Sequence, residues 1–285
     1  MQFDDLLNQN KNFEIERMAY QNVVSMSTSH YHSHYEILYI ESGSRTISIN
    51  ETKHIELNPN NIALLPPNII HATTSNSDNQ SRVLINISSS LIKEIVDFSS
   101  NHIIACFDTM FLPLNPYDIK TIKAFIQQLI FIQAEPNSYL KQEKIKVTVS
   151  SLLIALSDIN YRYTNNNLSY KDQFEKMLNI DSIIEYISSH YYENITLSDL
   201  ARKVAMSKQH FIRVFTEKYQ TTPIKYLNMF RVITAQRLLE SNTMNVTEVF
   251  KACGFNSSAH FSRVFKEITG ITPKAYQLKF KKKNK

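Results

Sequence analysis

The sequence predicts an α+β multidomain protein. A small N-terminal β-barrel with two following helices precedes an all-α C-terminal domain, in which two helix-turn-helix units are joined by a long helix. Three observations carry that reading. Residues 13–88 run as short strand-like segments with no long helical stripe. Residues 117–163 hold two apolar stripes at three- and four-residue spacing. HFIRVFTEKYQTTPIKY at 210–226 returns as HFSRVFKEITGITPKAY at 260–276. Such a repeat sets the architecture in which the other residues are read.

At 285 residues the chain is long enough for two or more cores, and 43% hydrophobic with 20% charged residues is an ordinary soluble composition. The longest apolar runs, such as SSLLIALS at 150–157, fall short of the roughly 20 residues that span a bilayer. The start, MQFDDLLNQNKNFEIER, is acidic and polar, unlike a secretory signal, so a cytoplasmic protein with no membrane partner is expected. Cys106 and Cys253 are too few for a disulfide framework or a zinc cluster and read as packing residues. Charge is uneven: residues 175–285 hold 18 Lys and Arg against 9 Asp and Glu, a net +9, while the preceding residues hold 13 against 17, a net −4. The basic end suits a polyanion.

The barrel is read from runs such as ISIN, IALLPP and VLINIS, separated by Asn, Ser, Pro and Gly43. Its most informative stretch is HYHSHYEILYIESG at 30–43. If extended, it turns His30, His32, His34, Glu36, Leu38 and Ile40 to one face and Tyr31, Tyr35, Ile37 and Tyr39 to the other. LNPNNIALLPPNIIH follows and ends at His71. Next come two helical segments. In YDIKTIKAFIQQLIFIQ the stripe is Ile119, Ile122, Ile126 and Leu129; in KIKVTVSSLLIALSDINYRY it is Ile145, Val149, Leu152, Leu156, Ile159 and Tyr163. The second holds heptad spacing for nearly three heptads, which fits either a dimer interface or packing on the barrel or the partner helix. The polar run TNNNLSYKD at 164–172 reads as a linker. The expected domains are therefore 1–115, 116–163, the linker 164–172, and 173–285.

Each C-terminal copy reads as a short helix, a turn and a second helix. In the first, Thr196 and Asp199 have capping-box spacing, Leu197, Leu200, Ala201 and Val204 face inward, and Ser207 caps the next helix. In the second, Asn245 and Glu248 repeat the cap, Val246, Val249, Phe250 and Cys253 repeat the inward face, and Gly254 sits in a turn one residue longer. The second helices bury Phe211, Val214 and Phe215, and Phe261, Val264 and Phe265. Their polar faces present Gln209, His210 and Arg213, or Ser258, His260 and Arg263, near the helix start, where a helix in a major groove meets base edges. Thr222-Pro223 and Thr272-Pro273 fit an N-cap followed by proline. PIKYLNMFRVITAQRLLES, with Leu227, Phe230, Thr234 and Leu238 on one stripe, is expected to be one spacer helix, roughly 25 Å long. It would set the two reading helices about one DNA turn apart on a double-stranded DNA partner. Arg202, Lys203, Ser207, Lys225 and Lys274 are taken as phosphate contacts. Of the lysines and arginines here, with Arg231, Arg237 and Lys251, any single one fits equally well as a solvated helix face.

The duplicated motif, the joining RVITAQRLL and VTEVFKACGFNSSAHFSRVFKEITGITPKAY resemble the DNA-binding domain of the AraC/XylS family of bacterial transcription regulators, over about residues 175–280. The resemblance implies that Gln209, Ile212 and Arg213, and Ser258, Ala259, Ser262 and Arg263, face bases. Ala205 and Gln220 depart from the glycines of the second copy, and Ala259 and Ser262 are poor base readers, so the second unit is expected to position more than to discriminate. The N-terminal half resembles the two cupin motifs of sugar-sensing AraC-type regulators, with His30, His32 and Glu36 in the first and His71 in the second. It implies a barrel pocket of His30, His32, His34, Glu36 and His71 for a small-molecule effector, to which Arg45 would add hydrogen bonds. It also implies a homodimer through Ile145, Val149, Leu152, Leu156 and Ile159, and an RNA polymerase contact if the regulator is an activator. No cofactor or metal is assigned. Two other readings stand beside this one, a DNA-tethered cupin metalloenzyme using the same His and Glu set, and a constitutive DNA-binding protein whose barrel is purely structural.

Overall fold

The computed structural model describes residues 12–21, 26–98, 101–165 and 171–281. Two compact units divide the chain, with the main boundary between Gln173 and Phe174. Of the expected linker, Thr164 and Asn165 end one helix, Lys171 and Asp172 begin the next, and 166–170 lie outside the described residues.

The first unit is built from strands β1 (Phe13–Tyr20), β2 (Met26–His30), β3 (His34–Ser42), β4 (Arg45–Ile49), β5 (Lys53–Leu57), β6 (Asn61–Leu65), β7 (His71–Ser75), β8 (Gln80–Ser88) and β9 (Phe111–Pro113). Helices α1 (Ser89–Phe98), α2 (Pro116–Ala134) and α3 (Lys141–Asn165) follow, with a 3₁₀ segment at Asn101–Asp108. Five strands pair in the order β1-β8-β3-β6-β9 and four in the order β2-β7-β4-β5. Residues alternate sides along a strand. Ile37 and Tyr39 of β3, Ile62 and Leu64 of β6, and Val83 and Ile85 of β8 therefore join one core with α1, the 3₁₀ segment, α2 and α3. The other faces of the same strands, with Glu36, Leu38, Arg82 and Asn86, are buried as well.

The α3 stripe of Ile145, Val149, Leu152, Leu156 and Ile159 lies in that same core. The expected dimer interface is corrected here: those side chains are covered by the chain's own α2, 3₁₀ segment and sheet, and are not free to meet a second copy. Arg162 of α3 also donates to the buried Asp118 of α2 at 2.8 Å, which locks the two helices together.

The second unit is all-helical: α4 (Lys171–His190), α5 (Leu197–Lys203), α6 (Lys208–Tyr219), α7 (Pro223–Glu240), α8 (Val246–Ala252), α9 (Ser258–Thr269) and α10 (Pro273–Lys281). Both capping boxes form. Asp199 N–H donates to Thr196 Oγ1 and Thr196 N–H to Asp199 Oδ2; Glu248 N–H donates to Asn245 Oδ1 and Asn245 N–H to Glu248 Oε2. The repeat extends to packing geometry. The Phe211–Phe215 and Phe261–Phe265 ring centroids lie 5.7 and 5.5 Å apart, and Phe215–Tyr226 and Phe265–Tyr276 lie 5.9 and 5.5 Å apart, all four pairs edge-on. The start of α7 thus closes the first helix-turn-helix as α10 closes the second.

The spacer differs from expectation. α7 is buried on almost every side from Tyr226 to Ala235, as a helix apolar all round must be, and is the central beam of the unit rather than a strut with one apolar stripe. Arg231 is buried within it and donates to Tyr191 O at 2.8 Å and Glu193 O at 2.7 Å, so it is an internal tie and not a phosphate contact. α4, which the sequence reading did not mark as a helix, is tied to α6 by Asp181, which accepts from Lys218 Nζ at 2.8 Å and from the Tyr219 hydroxyl. Cys106 and Cys253 are buried free thiols, and burial pushes each up to about 12, consistent with packing roles. Among the described residues, no helix is long and apolar enough to cross a membrane.

Candidate functional site

The polar faces of α6 and α9 are positioned by equivalent caps. Ser207 Oγ accepts from His210 N–H at 3.3 Å and Ser257 Oγ from His260 N–H at 3.1 Å, so each helix starts at the same point of its repeat. Phe211 and Phe215, like Phe261 and Phe265, anchor the inward side. The outward side then follows from helical spacing. Gln209 and Arg213 are exposed on α6, with His210 and Ile212 half-buried; Ser258, Ala259, His260 and Arg263 are exposed on α9, with Ser262 half-buried. Arg213 donates to Glu217 Oε1 and approaches His210 Nδ1, both at 3.2 Å. The Glu217 pair is solvent-exposed, worth about 0.5 kcal/mol, and leaves the guanidinium available to a stronger acceptor.

The cations around these helices are placed as follows. Arg202 is exposed, 3.5 Å from Asp199. Lys203 lies over the Tyr186 ring at 3.7 Å. Lys225, Lys251 and Lys274 are exposed, and Arg237 is half-buried. Ser207 is exposed and already engaged as the cap.

In the first unit the His and Glu residues converge by a route the sequence did not reveal. The 30–43 stretch is not one strand: β2 ends at His30, the chain turns through Tyr31, His32 and Ser33, and β3 begins in the other sheet at His34. Asn68, in the left-handed region at φ 63°, donates its N–H to His32 O at 2.7 Å and holds the turn before His71 against this corner. His30 pairs with His71 across β2 and β7. The rings of His30 and His71 lie 4.3 Å apart, those of His32 and His71 5.0 Å, and those of His32 and His34 are stacked at 3.9 Å. His32 Nε2 is 3.3 Å from Glu36 Oε2. Burial, with the neighbouring histidines, lowers His34 and His71 to about 3, so both are neutral at physiological pH. Burial alone would raise the Glu36 carboxyl, but the adjoining His32, and then His71 and His30, hold it well below the usual carboxylate range.

Residues 200–279 match the family model of a helix-turn-helix domain, and residues 17–144 match that of an AraC-like ligand-binding domain. The chain is an AraC-family transcription regulator. Among curated proteins it is similar to two uncharacterized HTH-type transcriptional regulators of Bacillus subtilis (strain 168). YbfI is 25% identical over 258 residues, 86% of this chain and 85% of that one; YdeC is 25% identical over 263 residues, 90% and 88%. In fold it is similar to ToxT from Vibrio cholerae, with a TM-score of 0.52 and 20% identity over 94% of this chain and 98% of that one.

Within this AraC-family barrel, the sequence reading missed Arg82 and Asn86. Both are buried on the β8 face that carries Leu84, opposite Val83, Ile85 and Ile87. The signal was strand alternation in RVLINIS, where Arg82, Asn86 and Ser88 fall with Leu84 on one face and Val83, Ile85 and Ile87 on the other. Arg82 lies over the Tyr20 ring at 5.7 Å, and Arg45 donates to Gln80 Oε1 at 2.5 Å. Burial and then the Arg82 charge lower Arg45 to about 10, so its guanidinium remains a cation inside the barrel.

Proposed function

We propose that this AraC-family regulator is a one-component switch. α6 and α9 read two successive major-groove segments of one operator, and the barrel binds a small effector that prefers one arrangement of a dimer. The carrying observation is the matched placement of Arg213 and Arg263, on equally capped and equally packed helices of one compact unit. Arg213 reads a base, with Gln209 one turn earlier as a second reader, supported by His210 and Ile212. Ser258, Ala259, Ser262 and Arg263 mainly position the second helix, because Ala259 and Ser262 offer little to a base edge. Arg202, Lys203, Ser207, Lys225 and Lys274 hold phosphates. The protein acts in the cytoplasm by binding rather than by catalysis, and contacts RNA polymerase if it activates.

Selection of bound sequences from a random pool tests the two arginines. Arg213→Ala is expected to weaken binding by about 1–3 kcal/mol and to relax preference at one operator position. Arg263→Ala is expected to weaken all sequences alike and to lower the salt slope by about one. An unchanged preferred sequence for Arg213→Ala would remove its assignment as a base reader.

The effector reading is supported by the polar groups gathered in the barrel, where His32, His34, Glu36, His71, Arg45 and Arg82 are buried and His30 is half-buried. ToxT, of the same fold, has been solved bound to (E)-4-(8-methylnaphthalen-1-yl)but-3-enoic acid. For the dimer, the exposed side of α3 replaces the buried one. Val147, Ile154 and Tyr161 recur every seven residues and are 64%, 57% and 66% exposed, a heptad seam suited to a second α3. Ile154→Lys is expected to give a monomer in sedimentation velocity with stability within about 0.5 kcal/mol of the parent. Leu152→Lys, in the core, is expected to unfold the first unit. A dimer that survives Ile154→Lys would place the interface elsewhere.

A further inference from the structure

His32, Glu36 and His71 come from three separate segments, the corner after β2, strand β3 and the start of β7. All three are more than nine-tenths buried, at 8%, 8% and 1% exposure. One donor atom from each lies within 4.8 Å of the others. The backbone fixes which ring nitrogens are free to act. His32 Nδ1 lies 2.9 Å from His34 O, and His71 Nδ1 lies 2.9 Å from Ile69 O. A carbonyl oxygen only accepts, so each Nδ1 carries the proton and donates it. Each Nε2 is left with a lone pair. This outer hydrogen bond to a backbone carbonyl is the usual means of orienting a metal-binding imidazole.

The consequence is sharpest at His32. Its Nε2 is buried without a hydrogen-bond partner among the described residues, and 3.3 Å away stands a carboxylate oxygen of Glu36. A lone pair facing an anion is repulsive unless a cation lies between them. The 3.3 Å separation lies nearer the spacing of two ligands on one ion than that of a shared proton. A proton shared between imidazole and carboxylate draws the heavy atoms to about 2.7–2.9 Å. Two ligands on one tetrahedral ion, each about 2.0–2.2 Å from it, stand about 3.4 Å apart.

We propose that His32, Glu36 and His71 bind one divalent first-row transition ion through His32 Nε2, His71 Nε2 and a Glu36 oxygen. Two imidazoles and one carboxylate suit zinc, iron or cobalt better than the oxygen-seeking calcium or magnesium. Three protein donors leave at least one coordination position for water or for a ligand oxygen within the barrel. The sequence assigned no metal and held these residues as a metal set only in the alternative cupin-metalloenzyme reading; the tautomers and the 3.3 Å gap are tertiary features. The inference stands whether or not the barrel also takes an organic effector.

Chelator-stripped full-length protein, titrated with Zn²⁺ by calorimetry and with Co²⁺ by visible absorption, tests it. The expected result is about one tightly held equivalent, a raised thermal midpoint, and Co²⁺ bands of nitrogen and oxygen ligation without thiolate charge transfer. Glu36→Gln and His71→Gln are expected to weaken Zn²⁺ binding by at least about 100-fold, whereas His54→Gln, at an exposed histidine of β5, is expected to leave it unchanged. Wild-type protein that gains neither a Co²⁺ spectrum nor a thermal shift with Zn²⁺ overturns the proposal, even if a buried variant fails to fold. Equal Zn²⁺ affinity in folded Glu36→Gln and the parent overturns it too, and assigns the gap to a proton.

Discussion

Raising monovalent salt from about 50 to about 200 mM is expected to weaken operator binding by the full-length protein roughly a thousandfold. The expectation begins from the net +9 of residues 175–285. It is narrowed by what the cations do. Arg231 is consumed by the carbonyls of Tyr191 and Glu193 and contributes no phosphate contact. Arg202, Lys203, Arg213, Lys225, Arg263 and Lys274 remain at the surface around the two reading helices. If about six phosphates are neutralised, counterion release gives a log-log slope near −5, and a fourfold rise in salt then reduces affinity by about 10³. Each lysine tests its own share: Lys225→Ala or Lys274→Ala should lower the slope by about one without changing the preferred sequence. Fluorescence anisotropy on a labelled operator across a salt series measures both. A flat response would sink the electrostatic reading of the surface.

How much of this was legible in the sequence depended on how local each cause was. The caps at Thr196, Ser207 and Asn245 were readable because a cap involves only its next three or four residues, and they formed as expected. The duplicated Phe pairs were readable because helical spacing alone puts Phe211 and Phe215 on one side. The stripe Ile145 to Ile159 was readable as a stripe, yet periodicity does not say what covers an apolar face. Here the chain's own core covers it, and the other heptad seam, Val147, Ile154 and Tyr161, is the exposed one. At 30–43, alternation brought the right residues together for an incomplete reason. The corner at Tyr31 to Ser33, held by Asn68 and leading into the second sheet, is a long-range contact. Arg231 looked like any surface arginine because its partners lie about 40 residues earlier in the chain.

Those same partners lead to the second large expectation, that Gly254→Ala destabilises the second unit by about 2–5 kcal/mol while Gly270→Ala costs only about 1–2 kcal/mol. Both glycines sit in the left-handed region, at φ 72° and 78°, so a side chain at either position meets the conformational penalty of that region. Their surroundings differ. Nothing lies within 4 Å of a Cβ built on Gly270, whereas one on Gly254 would stand 2.6 Å from Tyr191 O and 2.7 Å from the Tyr192 carbonyl carbon and oxygen. These are backbone atoms of the turn after α4, and the Arg231 guanidinium holds that turn in place, so they cannot swing aside as a flexible side chain would. The equivalent turn of the first helix-turn-helix has Ala205 at φ 53°, which shows that the left-handed conformation alone is tolerated with a Cβ present. The close approach of α4's turn to the second helix-turn-helix is therefore what makes glycine necessary at 254. Urea denaturation of the full-length protein followed by circular dichroism, with hydrogen exchange assigning the transition to α8 and α9, measures the difference. Equal losses for the two variants would mean that the Tyr191 turn does not bear on Gly254, and that Arg231 ties α7 to a segment free to move.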